Sequence, residues 1–336
     1  MKPVPLLVVS TGCPAGIGPE VSLAAAAKLS GAATVLLGDE STLRRAAELV
    51  GVKQSKLVAW DGRARTPGRV YFAQVGEALK AADRLAGKPN ARAGQAQLEY
   101  IEAGYTLVKS SERAALVTAP VSKAAIAHSG LSRARRFLGH TEWLQALDSA
   151  DSSVMCFLSE RLATSLVTTH VPLAKVSRAL TPRGVSIATV ELTRLLQRLG
   201  KKRPRVAVAS LNPHAGESKL LGGEEARAIA PGIALARRAL GRGAEIVGPV
   251  GAETAYRKAS IGGFDAVVAM YHDQATIPMK LLAFGDAVNV TAGLSIVRTS
   301  VDHGTAYDIA WQGKADAIGM RSALQLAARI VAGSRS

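Results

Sequence analysis

Ala266-Val267-Val268-Ala269-Met270-Tyr271-His272-Asp273-Gln274 is a short apolar run that stops at a histidine, an acid and an amide. Its length and β-branched content read as a strand rather than a helix. The same plan recurs twice. Thr164–Thr169 runs into His170, and Arg205–Ser210 runs into Leu211-Asn212-Pro213-His214-Ala215-Gly216-Glu217. Further candidate strands are Pro5–Thr11, Thr34–Gly38, Ala114–Ala119, Val154–Leu158, Glu245–Val247, Ala287–Thr291 and Ser295–Arg298. Longer amphipathic stretches separate them, which predicts an α/β protein with a largely parallel sheet.

The helices carry their own punctuation. Ser41 is the expected cap of a helix over Thr42–Val50, with Gly51 just past its end. Thr181 followed by Pro182 opens Arg183–Leu199, a capping residue with proline at the first helical position. Gly223–Leu240 and Ser322–Ala332 also show helical periodicity. Asp61–Arg69 is the most loop-like stretch, and no internal repeat or flexible linker marks a domain border.

In a parallel sheet all strands point one way, so His170, His214 and His272 are expected at one carboxyl edge. Open α/β sheets bind ligands there. Three neutral imidazoles suit Zn²⁺ or a similar divalent ion and leave coordination positions free for substrate. Their spacing is not a local metal motif, so this expectation depends on the fold.

The chain has 336 residues, enough for a large core or for two lobes. A hydrophobic fraction of 48% and a charged fraction of 20% exclude a disordered protein. The formal charge of +16 raises the question of a polyanionic partner. Its clusters, such as Arg63, Arg65 and Arg69 or Lys201, Lys202, Arg203 and Arg205, lack interleaved aromatics, and no zinc-finger spacing occurs. A nucleic-acid partner is therefore not expected. Part of the excess can attract phosphorylated small molecules. Cys13 and Cys156 are the only cysteines, too few for a disulfide framework. The run Val4–Val9 leads into a Gly/Pro turn and reads as a first strand rather than a signal peptide. No stretch approaches the roughly 20 apolar residues of a membrane span. A cytoplasmic enzyme is expected.

Several segments, taken in order, resemble one family. They are Thr11-Gly12-Cys13-Pro14-Ala15-Gly16-Ile17-Gly18-Pro19-Glu20, Gly139-His140-Thr141-Glu142, Thr169-His170-Val171-Pro172-Leu173, Leu211–Glu217, Met270–Gln274, and the tract from Ala283-Phe284-Gly285 to Ala306. Together they are similar to the 4-hydroxythreonine-4-phosphate dehydrogenases of vitamin B6 synthesis. The resemblance implies the fold of isocitrate and isopropylmalate dehydrogenases, two α/β/α lobes flanking a cleft. The first lobe is expected over 1–135 plus about 280–336, and the second over about 136–279.

The resemblance also implies site residues. His170, His214 and His272 would bind one divalent metal, Zn²⁺, Mg²⁺ or Co²⁺. His140, Thr141, Lys280, Asn289 and Arg298 would bind substrate, with Lys280 and Arg298 supplying cations for a phosphate and Asn289 a neutral amide. Asp273 and Lys280 are the candidate catalytic residues. Asp273 can orient its neighbouring ligand or move a proton, and a turn or N-cap role is equally open. His303-Gly304-Thr305-Ala306-Tyr307-Asp308 resembles the cofactor loop of isopropylmalate dehydrogenases, so His303, Gly304, Thr305 and Asp308 would hold the adenosine part of NAD or NADP. Gly12, Gly16 and Gly18 do not spell G-x-G-x-x-G, and their turn is either structural or a ligand contact. The resemblance further implies a homodimer with active sites at the subunit interface.

The sequence departs from the family at Ser10-Thr11-Gly12-Cys13 and at Gly251-Ala252-Glu253-Thr254, where the acid is one methylene longer than usual. These changes bear on substrate choice. The implied activity is NAD(P)-linked oxidation of 4-phosphooxy-L-threonine to a 3-oxo acid, which decarboxylates to 3-amino-2-oxopropyl phosphate. The alternatives are a sister dehydrogenase of 4-phospho-D-threonate or 4-phospho-D-erythronate and, more remotely, a phosphotransacetylase-like acyltransferase.

Overall fold

The computed structural model describes residues 3–333. The chain divides into two units, one made of residues up to Asp151 with those from Leu294 onward, the other Ser152–Gly293. Both crossings fall later than the expected 135/136 and 279/280. The bonding explains this. The helix His140–Asp148 is tied to the first unit through Asp148, which accepts from Ser295 N, Lys109 Nζ and Tyr105 OH. The strand Val288–Ala292 pairs with Val154–Leu158 and so belongs to the second.

The twelve strands are β1 (Leu6–Ser10), β2 (Ala33–Gly38), β3 (Leu57–Ala59), β4 (Val70–Gln74), β5 (Ala114–Thr118), β6 (Val154–Leu158), β7 (Ala163–Leu166), β8 (Arg205–Ala209), β9 (Glu245–Val250), β10 (Ala266–Ala269), β11 (Val288–Ala292) and β12 (Val297–Ser300). The α-helices are α1 (Gly18–Ala26), α2 (Glu40–Leu49), α3 (Ala91–Lys109), α4 (Lys123–Ala127), α5 (His140–Asp148), α6 (Leu173–Ala179), α7 (Pro182–Arg198), α8 (Ala230–Leu240), α9 (Ala252–Ser260), α10 (His272–Ala283) and α11 (Ile318–Gly333).

In the first unit the strands run β3-β4-β2-β1-β5-β12 and every pairing is parallel. The central strands β1, β2 and β5 are buried at every position, which is why they read as unbroken apolar runs. Leu6, Val8, Leu98, Ile101 and Leu116 meet in one core. Burying each such side chain contributes about 1.5–3 kcal/mol before entropy is counted.

In the second unit the order is β11-β6-β7-β10-β8-β9. Here β7, β10, β8 and β9 are parallel, but β6 runs against both of its neighbours. The turn Ser159–Leu162, closed by Ser159 N donating to Leu162 O, is too short for a crossover and forces this reversal. Pro249 sits on β9 at the end of the order, where a missing N–H is tolerated.

Two helix expectations are corrected. Asp39, not Ser41, caps α2: its carboxylate accepts from Thr42 N at 2.9 Å, and Ser41 itself donates to it. The helix expected over Gly223–Leu240 is interrupted by a wide π turn at Glu225–Ile229 before α8. Pro231 has no N–H to give to the preceding turn, and the ladder widens there. Thr181 and Pro182 open α7 as expected, with Thr181 Oγ1 accepting from Gly184 N at 3.0 Å.

Candidate active site

The parallel neighbours β7, β10 and β8 end on one edge, and His170, His272 and His214 each follow one of them. His272 is the first residue of α10, with Tyr271 in extended backbone before it. The rings of His170 and His272 lie with centroids 5.8 Å apart and planes tilted by 39°. Asp273 Oδ1 lies 2.7 Å from His272 Nδ1. A carboxylate only accepts, so this contact keeps the proton on Nδ1 and leaves Nε2 as a free donor atom for a cation. Of the roles open to Asp273, the geometry favours orientation of His272.

His214 is placed differently. It begins a turn in which His214, Ala215, Gly216, Glu217, Ser218 and Lys219 all have positive φ. Among the described residues, no group of three or more His, Cys, Asp or Glu side chains of one chain is placed to hold a metal ion. The structure therefore brings two of the three imidazoles together and leaves the third in its own loop. Paired imidazoles with a carboxylate behind one of them are a donor set that fits a divalent ion, short of one ligand.

In the first unit, Arg298 on β12 is buried, with 3% exposure. Its Nη2 and Nε donate to Thr118 Oγ1 at 2.7 and 3.2 Å. Thr118 lies on the neighbouring strand β5. Burial lowers the guanidinium to about 10, opposed by Glu142, so it remains a cation at neutral pH. His140 opens α5 and stands edge-on to Phe137, at 6.1 Å between centroids. Burial, then the charges of Arg298 and Lys123, hold its pKa well below the ordinary imidazole range. Its Nε2 is buried without a hydrogen-bond partner. Such a group costs about 1–3 kcal/mol when nothing satisfies it, which makes this nitrogen a candidate contact for a ligand. Thr141 follows on the first turn of α5, whose cap residue Gly139 offers no side chain. The N-terminal end of a helix favours an anion.

Lys123 and Glu142 were not singled out from the sequence. A Cβ placed on Gly139 would meet Glu142 Oε2 at 2.8 Å and Lys123 Nζ at 3.6 Å. Lys123 starts α4 after the cap Ser122, just beyond β5. Its position in Thr118-Ala119-Pro120-Val121-Ser122-Lys123, a strand end running into a capped helix, was the available signal. The remaining substrate candidates lie in the second unit. Asn289 on β11 has a buried Oδ1 without a partner, and Lys280 is exposed on α10.

His303, Gly304, Thr305 and Asp308 lie in the loop after β12. His303 and Gly304 are exposed, and His303 Nδ1 is 3.1 Å from Gly304 O. The glycine-rich turn before α1 serves this loop. Ile17 N donates to Thr305 O, and a Cβ on Gly16 would come within 2.9 Å of the same oxygen. Trp311 N donates to the buried Glu20, Trp311 Nε1 donates to Pro14 O, and the Arg45 guanidinium stacks 4.3 Å above the indole. Of the two roles left open for those glycines, docking of the 303–311 loop is the one the contacts display.

Two α/β units, with a buried guanidinium in one and an imidazole pair at a strand edge of the other, define the class as an α/β enzyme of the dehydrogenase kind. The profile of the pyridoxal phosphate biosynthetic protein PdxA family matches residues 30–327. The chain is 39% identical to the 4-hydroxythreonine-4-phosphate dehydrogenase of Geobacter metallireducens, over 97% of this chain and 95% of that one. It is 38% identical to the D-threonate 4-phosphate dehydrogenase of Pectobacterium atrosepticum, over 97% and 99%. The crystal structure of 4-hydroxythreonine-4-phosphate dehydrogenase from Klebsiella pneumoniae superposes with a TM-score of 0.83 at 36% identity, covering 98% of this chain and 100% of that chain. This chain belongs to the PdxA family. It is an oxidoreductase of the nicotinamide-linked kind, and no helix among its described residues is long and apolar enough to cross a membrane.

Proposed function

We propose that this protein oxidises the C3 alcohol of 4-phosphooxy-L-threonine with NAD or NADP in vitamin B6 synthesis. The resulting 3-oxo acid loses CO₂ to give 3-amino-2-oxopropyl phosphate. The observation that carries the reading is the buried, unpartnered Nε2 of His140 beside the buried cation of Arg298. A neutral imidazole can donate to a phosphate oxygen without adding a second buried charge, while Arg298 supplies the opposite sign. Thr141 and the first turn of α5 add donors. Lys280 and Asn289 are assigned to the same substrate by the family resemblance, and His303, Gly304, Thr305 and Asp308 to the adenosine part of NAD(P).

His170, His272 and His214 would hold one divalent ion, Zn²⁺, Mg²⁺ or Co²⁺. When bound, that ion supplies Lewis acidity for the alcohol and ketone oxygens. Asp273 fixes the tautomer of His272. The third ligand comes from a second copy of the chain in this reading. Its support is the incomplete imidazole set together with the outer face of α10, where Ile277, Leu281 and Phe284 are 59%, 81% and 85% exposed. That helix also carries His272 and Lys280.

A second reading, oxidation of 4-phospho-D-threonate, is favoured by the Pectobacterium relative at nearly the same identity. It keeps the metal and phosphate residues and changes the head group. NADH or NADPH formation with each phospho-acid separates the two. Turnover of 4-phosphooxy-L-threonine far above that of the D-threonate ester supports the first reading, and the reverse order replaces it.

A further inference from the structure

We propose that Glu225 is the positioning residue for His214, clamping the left-handed loop that presents this imidazole. The inference rests on the metal-site reading above. From β8 the chain leaves through Leu211 and Asn212, whose backbone N–H groups both donate to Glu225 Oε1, at 3.0 and 2.8 Å. Asn212 Nδ2 donates to Glu225 Oε2 at 3.0 Å and to Glu224 Oε2 at 2.8 Å. Glu224 is in turn held by Ser177 Oγ. The carboxylate of Glu225 thus gathers three N–H bonds from the two residues that lead into the turn. It is nearly buried, with 7% exposure.

The turn needs such a hold. His214, Ala215, Glu217 and Ser218 have φ of 49°, 54°, 39° and 56°, a run that L-residues seldom adopt. Each non-glycine residue there costs on the order of 1–2 kcal/mol, so the conformation persists only where its surroundings over-determine it. Gly216, φ 81°, lies against the clamp itself: a Cβ at that position would stand 2.8 Å from Glu225 Oε2. The same carboxylate therefore binds the entry of the turn and packs against its inside. His214 sits between these two points, and its direction is set by them. Glu225 acts through the loop and is not itself a proposed ligand; it determines where the third imidazole is offered.

The test is the Zn²⁺ affinity of the full-length protein, measured by competition with a chromophoric chelator for wild type, Glu225→Ala, Glu225→Gln and His214→Ala. Circular dichroism and Tm are followed for each. Glu225→Ala is expected to weaken Zn²⁺ binding about 10–100-fold with an unchanged far-ultraviolet spectrum, the usual size of an outer-sphere loss. Glu225→Gln keeps an oxygen for the two backbone donors and is expected to recover most of that affinity. Should the alanine variant not fold, the glutamine variant carries the test: it keeps the acceptor for the two backbone N–H groups but loses the one that faces Asn212 Nδ2, so a several-fold weaker Zn²⁺ affinity than wild type supports the clamp and an affinity equal to wild type overturns it. Zn²⁺ bound as tightly by the Glu225 variants as by wild type, while His214→Ala loses it, overturns the inference and leaves the metal reading intact. Unaltered affinity in His214→Ala overturns the metal reading and the inference with it.

Discussion

The two ends of the proposed chemistry are built in opposite ways. In the first unit, Arg298 and Thr118 lie on adjacent strands of a parallel sheet, and His140 is packed on Phe137, so the proposed anion pocket draws its residues from one chain. In the second unit the imidazoles stand at a strand edge, His272 partly exposed at 39%, and His214 rides on a strained turn. In the proposed reading one end is built from a single chain, and the other takes a donor from a second copy. A preorganised phosphate grip can hold the substrate while the metal end is completed by assembly, and binding and turnover then respond to different mutations.

The largest expected effect tests the incomplete end. His170→Ala and His214→Ala should each lower turnover by about 10³-fold, because an ion left with two imidazoles is held weakly. If a second copy supplies His214, mixing the two inactive variants under subunit exchange should restore about a quarter of wild-type activity, since half of the dimers are mixed and each has one intact site. Activity that stays at background after exchange, with mixed dimers verified by mass spectrometry, would break the contrast by making both ends self-contained.

The complete end should respond in binding. Arg298→Ala is expected to lower kcat/KM for the phosphorylated substrate by about 10²-fold, chiefly through KM, as removal of one partner of a buried ion pair costs 2–5 kcal/mol. Arg298→Lys should fall between, since the charge survives but the fork that Thr118 now orients does not. A KM within twofold of wild type in both variants would remove the phosphate from this pocket.

How much of this was legible in the sequence follows the same division. The buried strands β1, β5, β6 and β10 announced themselves as unbroken apolar runs. The edge strand β3 and its neighbour β4 did not, because β3 has only three residues, β4 is buried over only its first three positions, and both adjoin the arginine-rich loop Asp61–Arg69. The placing of His170, His214 and His272 at one sheet edge was readable, since parallel topology fixes it, but that the strands before His170 and His272 are neighbours was not. The turn at His214 was not: only Gly216 in that run signals positive φ, and the conformation is imposed by Glu225 and Asn212 from tertiary contact. Lys123 was missed because a lone lysine at a helix start looks like solvated charge. The unit borders were hidden because the chain crosses between units without a linker of distinctive composition.

The smallest effect concerns how firmly α5 holds His140. Asp148 closes the far end of that helix, where a negative charge is ordinarily disfavoured by the helix dipole. Its side chain is 2% exposed and accepts from Ser295 N at 2.6 Å, Lys109 Nζ at 3.0 Å, Tyr105 OH at 3.0 Å and Ser295 Oγ. Burial alone would raise its pKa, but the bonds from Ser295, Lys109 and Tyr105 outweigh that and pull it down from 3.8 to about 2. A depressed carboxylate stabilises the fold fully above its unfolded pKa and loses that contribution as pH falls through the folded one. Asp148→Asn should therefore cost about 2 kcal/mol at pH 7, read from urea denaturation. The gap between wild type and variant should narrow below about pH 4 and close near pH 2. Because His140 and Arg298 are fixed by other contacts, KM for the phosphorylated substrate should stay near wild type while the protein remains folded. A KM that rises in step with the lost stability would show that the anion pocket depends on α5 as a whole, and is less rigid than its burial implies.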